Sequence, residues 1–224
     1  MKKPPCLAPA HRGYAPGRPC ASESAARIES LLDVAAEVFT ERGYQGASLD
    51  EIARRAGASK QTLYVRFPSK ADLFEAVLRR ETERAHLRFS GILLADQPIE
   101  EVLEQYGIEV IQMIMAERSQ RLIRTISAAV ESFPELARGL WQQICETGIH
   151  ILADYIGVQS SMGELREVDP KLAAHVFHGL AMGPYFLPAQ LAVEPEAPLA
   201  DPRAYVKEAV RVFLSAYGVA RSSH

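Results

Sequence analysis

The chain has 224 residues, 48% of them hydrophobic and 24% charged, with a formal net charge of −3, which suits a soluble protein of one or two domains able to bury a core. Three cysteines, Cys6, Cys20 and Cys145, lie at no paired spacing, which argues for a reducing compartment and against a disulfide framework. No stretch reaches the run of about 18 apolar residues that a membrane span needs, and the N-terminus lacks the apolar segment of a secretory signal, so a cytoplasmic protein without a membrane partner is expected.

The net charge hides a division. Residues 1–70 hold 11 Lys or Arg against 7 acids, whereas residues 71–224 hold 14 against 21. A basic head on an acidic body suits a protein that touches nucleic acid at one end.

Residues 1–22 form a basic, Pro-rich tail with Pro4, Pro5, Pro9, Pro16 and Pro19, and disorder is its expected state. From Ser24 to Arg42 the residues Ile28, Leu31, Leu32, Ala35, Val38 and Phe39 recur at helical spacing, and Gly43 stands where a helix ends. Ser48 and Glu51 have the spacing of a capping box for a short helix carrying Leu49, Ile52, Ala53 and Ala56 on one face. Gly57 breaks the pattern. Ser59 is placed to cap a second short helix, Lys60 to about Arg66, with Leu63 and Phe67 inward. Two helices joined by a short turn containing Gly make a helix-turn-helix.

The second helix has a polar face that a core does not need: Lys60, Gln61, Thr62, Tyr64 and Arg66. Between Ala53 and Lys70 stand Arg54, Arg55, Lys60, Arg66 and Lys70, and no acid. Such a helix can enter the major groove, where these side chains meet base edges and phosphates. The same pattern also fits a solvated helix of a bundle that binds no DNA. Phe67-Pro68 ends the helix, and Ser69 caps a long fourth one carrying Leu73, Phe74, Val77 and Leu78 toward Phe89.

The stretch from Val34 to Leu78 resembles the N-terminal signature of the TetR/AcrR family of transcriptional regulators. Its matching parts are Phe39…Gly43-Tyr44, Ile52-Ala53…Gly57 and Ser59-Lys60…Thr62-Leu63-Tyr64…Phe67…Ser69-Lys70. The resemblance implies an all-α homodimer: a three-helix helix-turn-helix head over residues 23–84, then a body of about six helices over 85–218 for effector binding and dimerisation. It usually means a repressor released from operator DNA by a small molecule. It places Lys60, Gln61 and Thr62 near bases and neighbouring phosphates, and Tyr64, Arg66 and Lys70 at the backbone. Ser48 sets the preceding helix against the other strand, and Ser59 belongs to the same contact set. Two positions depart from the family. Gln61 stands where Gly is common and can pair bidentately with adenine. Val65 stands where an aromatic residue is frequent and removes a possible contact.

Beyond Pro98 periodicity alone guides the reading. Helices are predicted from Ile99 to Arg118, from Gln120 to Ser132, and from Phe133-Pro134 to about Tyr155, followed by a loop from Val158 to Asp169. Asp169-Pro170 starts a further helix that Pro184 and Pro188 should kink or end, and a last helix runs Pro202 to Tyr217. In the family the last two helices pair with those of a second subunit; the faces here fit that and equally the core of a monomer. The inward aromatic, Met, Cys and His candidates for an effector pocket are Phe89, Met113, Trp141, Cys145, Phe177, His178, Met182, Tyr185 and Phe186.

His175 and His178 lie three apart on one helix but lack a third ligand nearby, so neither a metal nor another cofactor is expected. Cys145 has no neighbouring cation in sequence to make it a redox sensor. Motifs for a nucleophile elbow, a phosphate loop, a zinc protease or a dinucleotide turn are missing, so no enzyme is expected. The alternatives that stay open are a ligand-binding or adaptor protein without an operator, and an activator or effector-independent regulator.

Overall fold

The computed structural model describes residues 21–219, and the side chains of all of these except 21–24, 136, 137, 140 and 143–145; the expected tail thus lies almost wholly outside the described residues, as does the Cys145 side chain. Helix α1 (Ala21–Gly46) bends at Gly43, whose φ of 70° favours glycine. The regular helix breaks there, as the sequence suggests, and one further turn follows to Gly46. Helices α2 (Leu49–Arg55) and α3 (Lys60–Arg66) follow, and α4 (Lys70–Leu93) leads into the rest of the molecule.

The helix starts are set by local chemistry. Ser48, Ser59 and Ser69 each accept a hydrogen bond from the backbone N–H three residues on, at 3.2, 3.0 and 3.2 Å. The full capping box forms at α4, where the Asp72 carboxylate accepts from the Ser69 N–H at 2.9 Å. At α2 only half of the expected box is present. The Glu51 carboxylate pairs with Arg55 at 2.9 Å instead, because an arginine one turn away offers a charge that a backbone N–H does not.

The body comprises α5 (Ile99–Met115), α6 (Glu117–Ala129), α7 (Pro134–Leu140), a π-helical segment (Trp141–Glu146), α8 (Thr147–Ser161), α9 (Pro170–Leu191) and α10 (Pro202–Tyr217). All described elements are helical, as an all-α fold requires. Several boundaries differ from the periodicity. The predicted helix to Arg118 stops at Met115, because Ala116 is extended (ψ 131°) and serves both as the end of α5 and the start of α6. The predicted single helix from Pro134 is interrupted by the π segment, and α8 then runs to Ser161, four residues into the predicted loop.

Of the two outcomes expected at Pro184 and Pro188, a kink or an end, the second does not occur: α9 runs through both prolines. Pro184 has no N–H for the Leu180 carbonyl. The Tyr205 hydroxyl of α10 donates to that carbonyl at 2.8 Å, so the gap in one helix is filled by its neighbour. Helix α9 ends instead at Ala192, which adopts the left-handed conformation with φ 53°.

Two apolar clusters result. The first gathers Leu32, Phe39, Tyr44, Ile52, Leu63, Phe67, Phe74 and Leu78 with Leu122, Ile126 and Ala129 of α6. Phe39 and Phe74 meet edge to face with centroids 4.8 Å apart. Helices α1 to α4 are therefore closed by α6, a helix from much later in the chain. The second cluster joins Phe89 of α4 to Leu103 and Tyr106 of α5, Leu152 and Ile156 of α8, Phe177 of α9, and Val206 and Phe213 of α10. Gly107 lets α5 and α10 touch: a Cβ there would stand 2.8 Å from Val206 Cγ1.

Candidate nucleic-acid interface

Helix α3 is anchored by very little. Leu63 is buried to 1% exposure, Phe67 follows at the cap, and Lys60, Gln61, Thr62, Tyr64, Val65 and Arg66 are all exposed. The caps occupy some of the predicted contact groups. Ser59 and Thr62 share a hydroxyl–hydroxyl bond of 2.7 Å besides the backbone cap, so both are committed to starting α3. Ser48, exposed, does the same for α2.

The five cations of residues 53–70 differ sharply in availability. Arg55 is held by Glu41 at 2.7 Å and by Glu51 at 2.9 Å. Lys60 pairs with Asp50 of α2 at 2.5 Å, a hydrogen bond that raises its pKa. The Lys70 ammonium donates to the carbonyls of Gln45 and Ala47, each at 3.1 Å, and lies 4.8 Å from the centre of the Tyr44 ring. Its burial there lowers its pKa. Lys70 thus ties the end of α1 to the start of α4 with two of its three donors. Among the described residues, Arg54 and Arg66 make no ion pair.

A charged seam that periodicity did not reveal joins head to body. Arg80 of α4, 4% exposed, meets Asp33 of α1 at 2.9 Å and Glu81 at 2.8 Å, and donates to the Glu29 carbonyl at 2.9 Å. Arg118 of α6 reaches the same two acids at 3.2 and 2.9 Å, and Arg84 stands 3.7 and 3.5 Å from them. The sequence signal for it, acids on α1 facing arginines of α4 and α6, is visible only once α6 is known to cross α1.

The described pocket candidates differ widely in burial. Phe89, Phe177 and Tyr185 are packed in the core, and Met113 and Met182 lie half-buried against it. Trp141 and Phe186, expected inward, are 55% and 48% exposed. Trp141 opens the π segment, where the wider turn breaks the 3.6-residue register on which the expectation rested; Phe186 lies one residue past Tyr185, on the outer face of α9. His178 is engaged in a small polar group with Tyr106, which the pocket candidates omitted. The Tyr106 hydroxyl lies 2.8 Å from His178 Nε2 and donates to the Gly148 carbonyl at 3.2 Å. With that one phenolic proton committed to Gly148, Nε2 carries the proton of a neutral imidazole and donates to Tyr106. Burial holds the His178 pKa down to about 4.

Open space lies elsewhere. A surface groove of about 580 Å³ runs between α8 and the start of α9, past His150, Asp154, Gly157 and Lys171. A cleft of about 200 Å³ separates α1 from α6 at Glu37, Thr40 and Arg121. Neither is lined by any of the nine candidates. Among the described residues no group of His, Cys, Asp and Glu could hold a metal, and no helix is long and apolar enough to cross a membrane.

A helix-turn-helix head with an exposed third helix, on a helical body, defines a class that comparison with known proteins makes specific. Residues 31–77 match the model of bacterial regulatory proteins of the tetR family, and residues 101–219 match that of the C-terminal domain of AefR-like transcriptional repressors. The chain belongs to the TetR family of transcriptional regulators. Among its relatives, the HTH-type transcriptional activator FasR of Mycolicibacterium smegmatis is 55% identical over 57 residues, 25% of this chain and 26% of FasR, so that match spans about a quarter of the relative's length. The HTH-type transcriptional repressor BepR of Brucella suis is 28% identical over 72% of this chain and 80% of its own. A TetR-family regulator from Mesorhizobium loti has a similar structure, with a TM-score of 0.79 and 28% identity over 88% of this chain and 98% of that one.

Proposed function

We propose that this protein is a cytoplasmic homodimer that binds a pseudo-palindromic operator, represses transcription from it, and is released by a small-molecule effector. The observation that carries the DNA-binding part is the economy of α3: one buried leucine, and six outward side chains among which Gln61, Tyr64 and Arg66 are free to reach DNA. Arg54 and Arg66 supply unpaired charge for phosphates, while Lys60 is a contact that DNA must win from Asp50. Lys70 orients the two helix ends and keeps one donor for the backbone.

A second copy is the natural cover for the outer face of α9, where Leu172, Gly179, Gly183, Leu187 and Leu191 are exposed at helical spacing. Dimerisation there would present two copies of α3 to successive major grooves, about 34–36 Å apart. Repression is supported by the likeness of the body to AefR-like repressors. An effector would act by binding one arrangement of heads better than the other, typically with a coupling of about 1–3 kcal/mol, and DNA would weaken its binding by the same factor. The Tyr106–His178 group is the polar feature of the body core that such a molecule could engage.

Selection of duplexes from a random library, followed by affinity measurement across salt concentrations, tests the proposal. A two-fold symmetric site and a steep salt dependence are expected. Gln61→Ala should relax the preference at one position in each half-site, by about 1–3 kcal/mol for a bidentate contact. A protein that enriches no sequence is not an operator-binding regulator.

A further inference from the structure

Val65 is the most exposed residue for its chemistry in the head: an aliphatic side chain left 80% open on the third helix. Nothing in the folded chain accounts for it. Its β-branched side chain is a poor helix former, and α3 has only seven residues over which to spread that cost.

Its position is informative. At about 100° per residue, Gln61 and Val65 each lie about 160° around the axis from Leu63, one on either side of the point opposite the core. No other residues of α3 stand so far from the buried side. Being four apart, they are neighbours on that crest, with Cβ atoms about 5–6 Å from each other. Tyr64 is the next exposed side chain around the axis from Gln61, and Arg66, exposed, adds a positive charge to the same short helix.

We infer that Val65 packs against the C5-methyl group of a thymine in the major groove, within one or two base pairs of the base that Gln61 reads. The inference rests on the operator-binding function proposed above and adds a specificity element to it. The thymine methyl is the apolar group that the major groove offers, and an aliphatic side chain beside an amide suits an A·T-containing step.

The test uses the full-length protein and the half-site obtained by selection from random duplexes. Each thymine is replaced in turn by uracil, which removes the methyl group and nothing else. One thymine per half-site should lose about fourfold in affinity on demethylation, the effect of uncovering one methylene-sized group. In Val65→Ala, which keeps only Cβ, that penalty should shrink while the penalties at all other thymines stay as they were. Val65 is exposed, so an unchanged thermal midpoint is expected to accompany the change. An enriched half-site with no methyl-sensitive thymine, or with penalties identical in Val65→Ala, overturns the methyl contact and leaves operator binding intact. Failure to enrich any duplex overturns both.

Discussion

Two polar groups among the described residues, one half-exposed around the buried Arg80 and one inside the body core, are built on opposite plans. The seam between head and body is ionic and redundant: Arg80, Arg84 and Arg118 share Asp33 and Glu81, so each acid keeps a partner when one arginine leaves. The body core instead holds a neutral chain, His178 to Tyr106 to the Gly148 carbonyl, with no substitute for any link. Counting contacts would rank the seam first. Redundancy reverses the order, because the cost of a deletion is set by what is left unpaired, not by how many bonds are drawn.

The sharpest way to break this comparison is Tyr106→Phe. The exchange removes one oxygen, leaves Gly148 and His178 without their partner inside the core, and should cost about 2 kcal/mol by denaturant unfolding. A loss near zero would mean that water or a shift of His178 restores the chain. Next in size is the pH response. An unfolded imidazole takes up a proton below about 6.5, whereas the folded His178 stays neutral until about 4, so stability falls as pH drops between those values. Between pH 7 and pH 5 the wild type should lose about 1–2 kcal/mol through this group, and His178→Gln should flatten that part of the curve.

The seam should answer more weakly. Arg80→Met keeps the buried aliphatic volume and leaves Arg84 and Arg118 to hold the acids, so a loss of about 1 kcal/mol is expected. A loss beyond about 3 kcal/mol would show that the arginines do not cover for one another. Smallest of all, Arg118→Ala should change stability by less than about 1 kcal/mol, and the difference should shrink further in high salt.

How much of this was legible in the sequence follows from the range of each interaction. The caps at Ser48, Ser59 and Ser69 and the inward Leu63 and Phe67 were readable, because each depends on residues within one or two turns. The last helix, Pro202–Tyr217, was readable for the same reason: one apolar face at helical spacing. Charge was only half legible. Five cations can be counted between residues 53 and 70, yet which of them are free depends on Asp50, Glu41 and two carbonyls at the end of α1. The continuity of α9 was illegible, since the group that mends the gap at Pro184 is a hydroxyl on another helix. The pocket candidates were the weakest part. Inward direction was extrapolated through the π segment and past Tyr185, where it fails for Trp141 and Phe186.

Helix α6 carries a consequence for anyone who would transplant this head. Leu122, Ile126 and Ala129 close the cluster beneath α1 to α4, while Arg124 on the same helix donates to the Ala189 carbonyl at the end of α9. A chimera cut after α4 would carry α3 but leave its lid behind on the original body. Exchanging operator preference between relatives by swapping N-terminal segments should therefore succeed only where the recipient's own α6 presents the same three apolar residues, or travels with the graft.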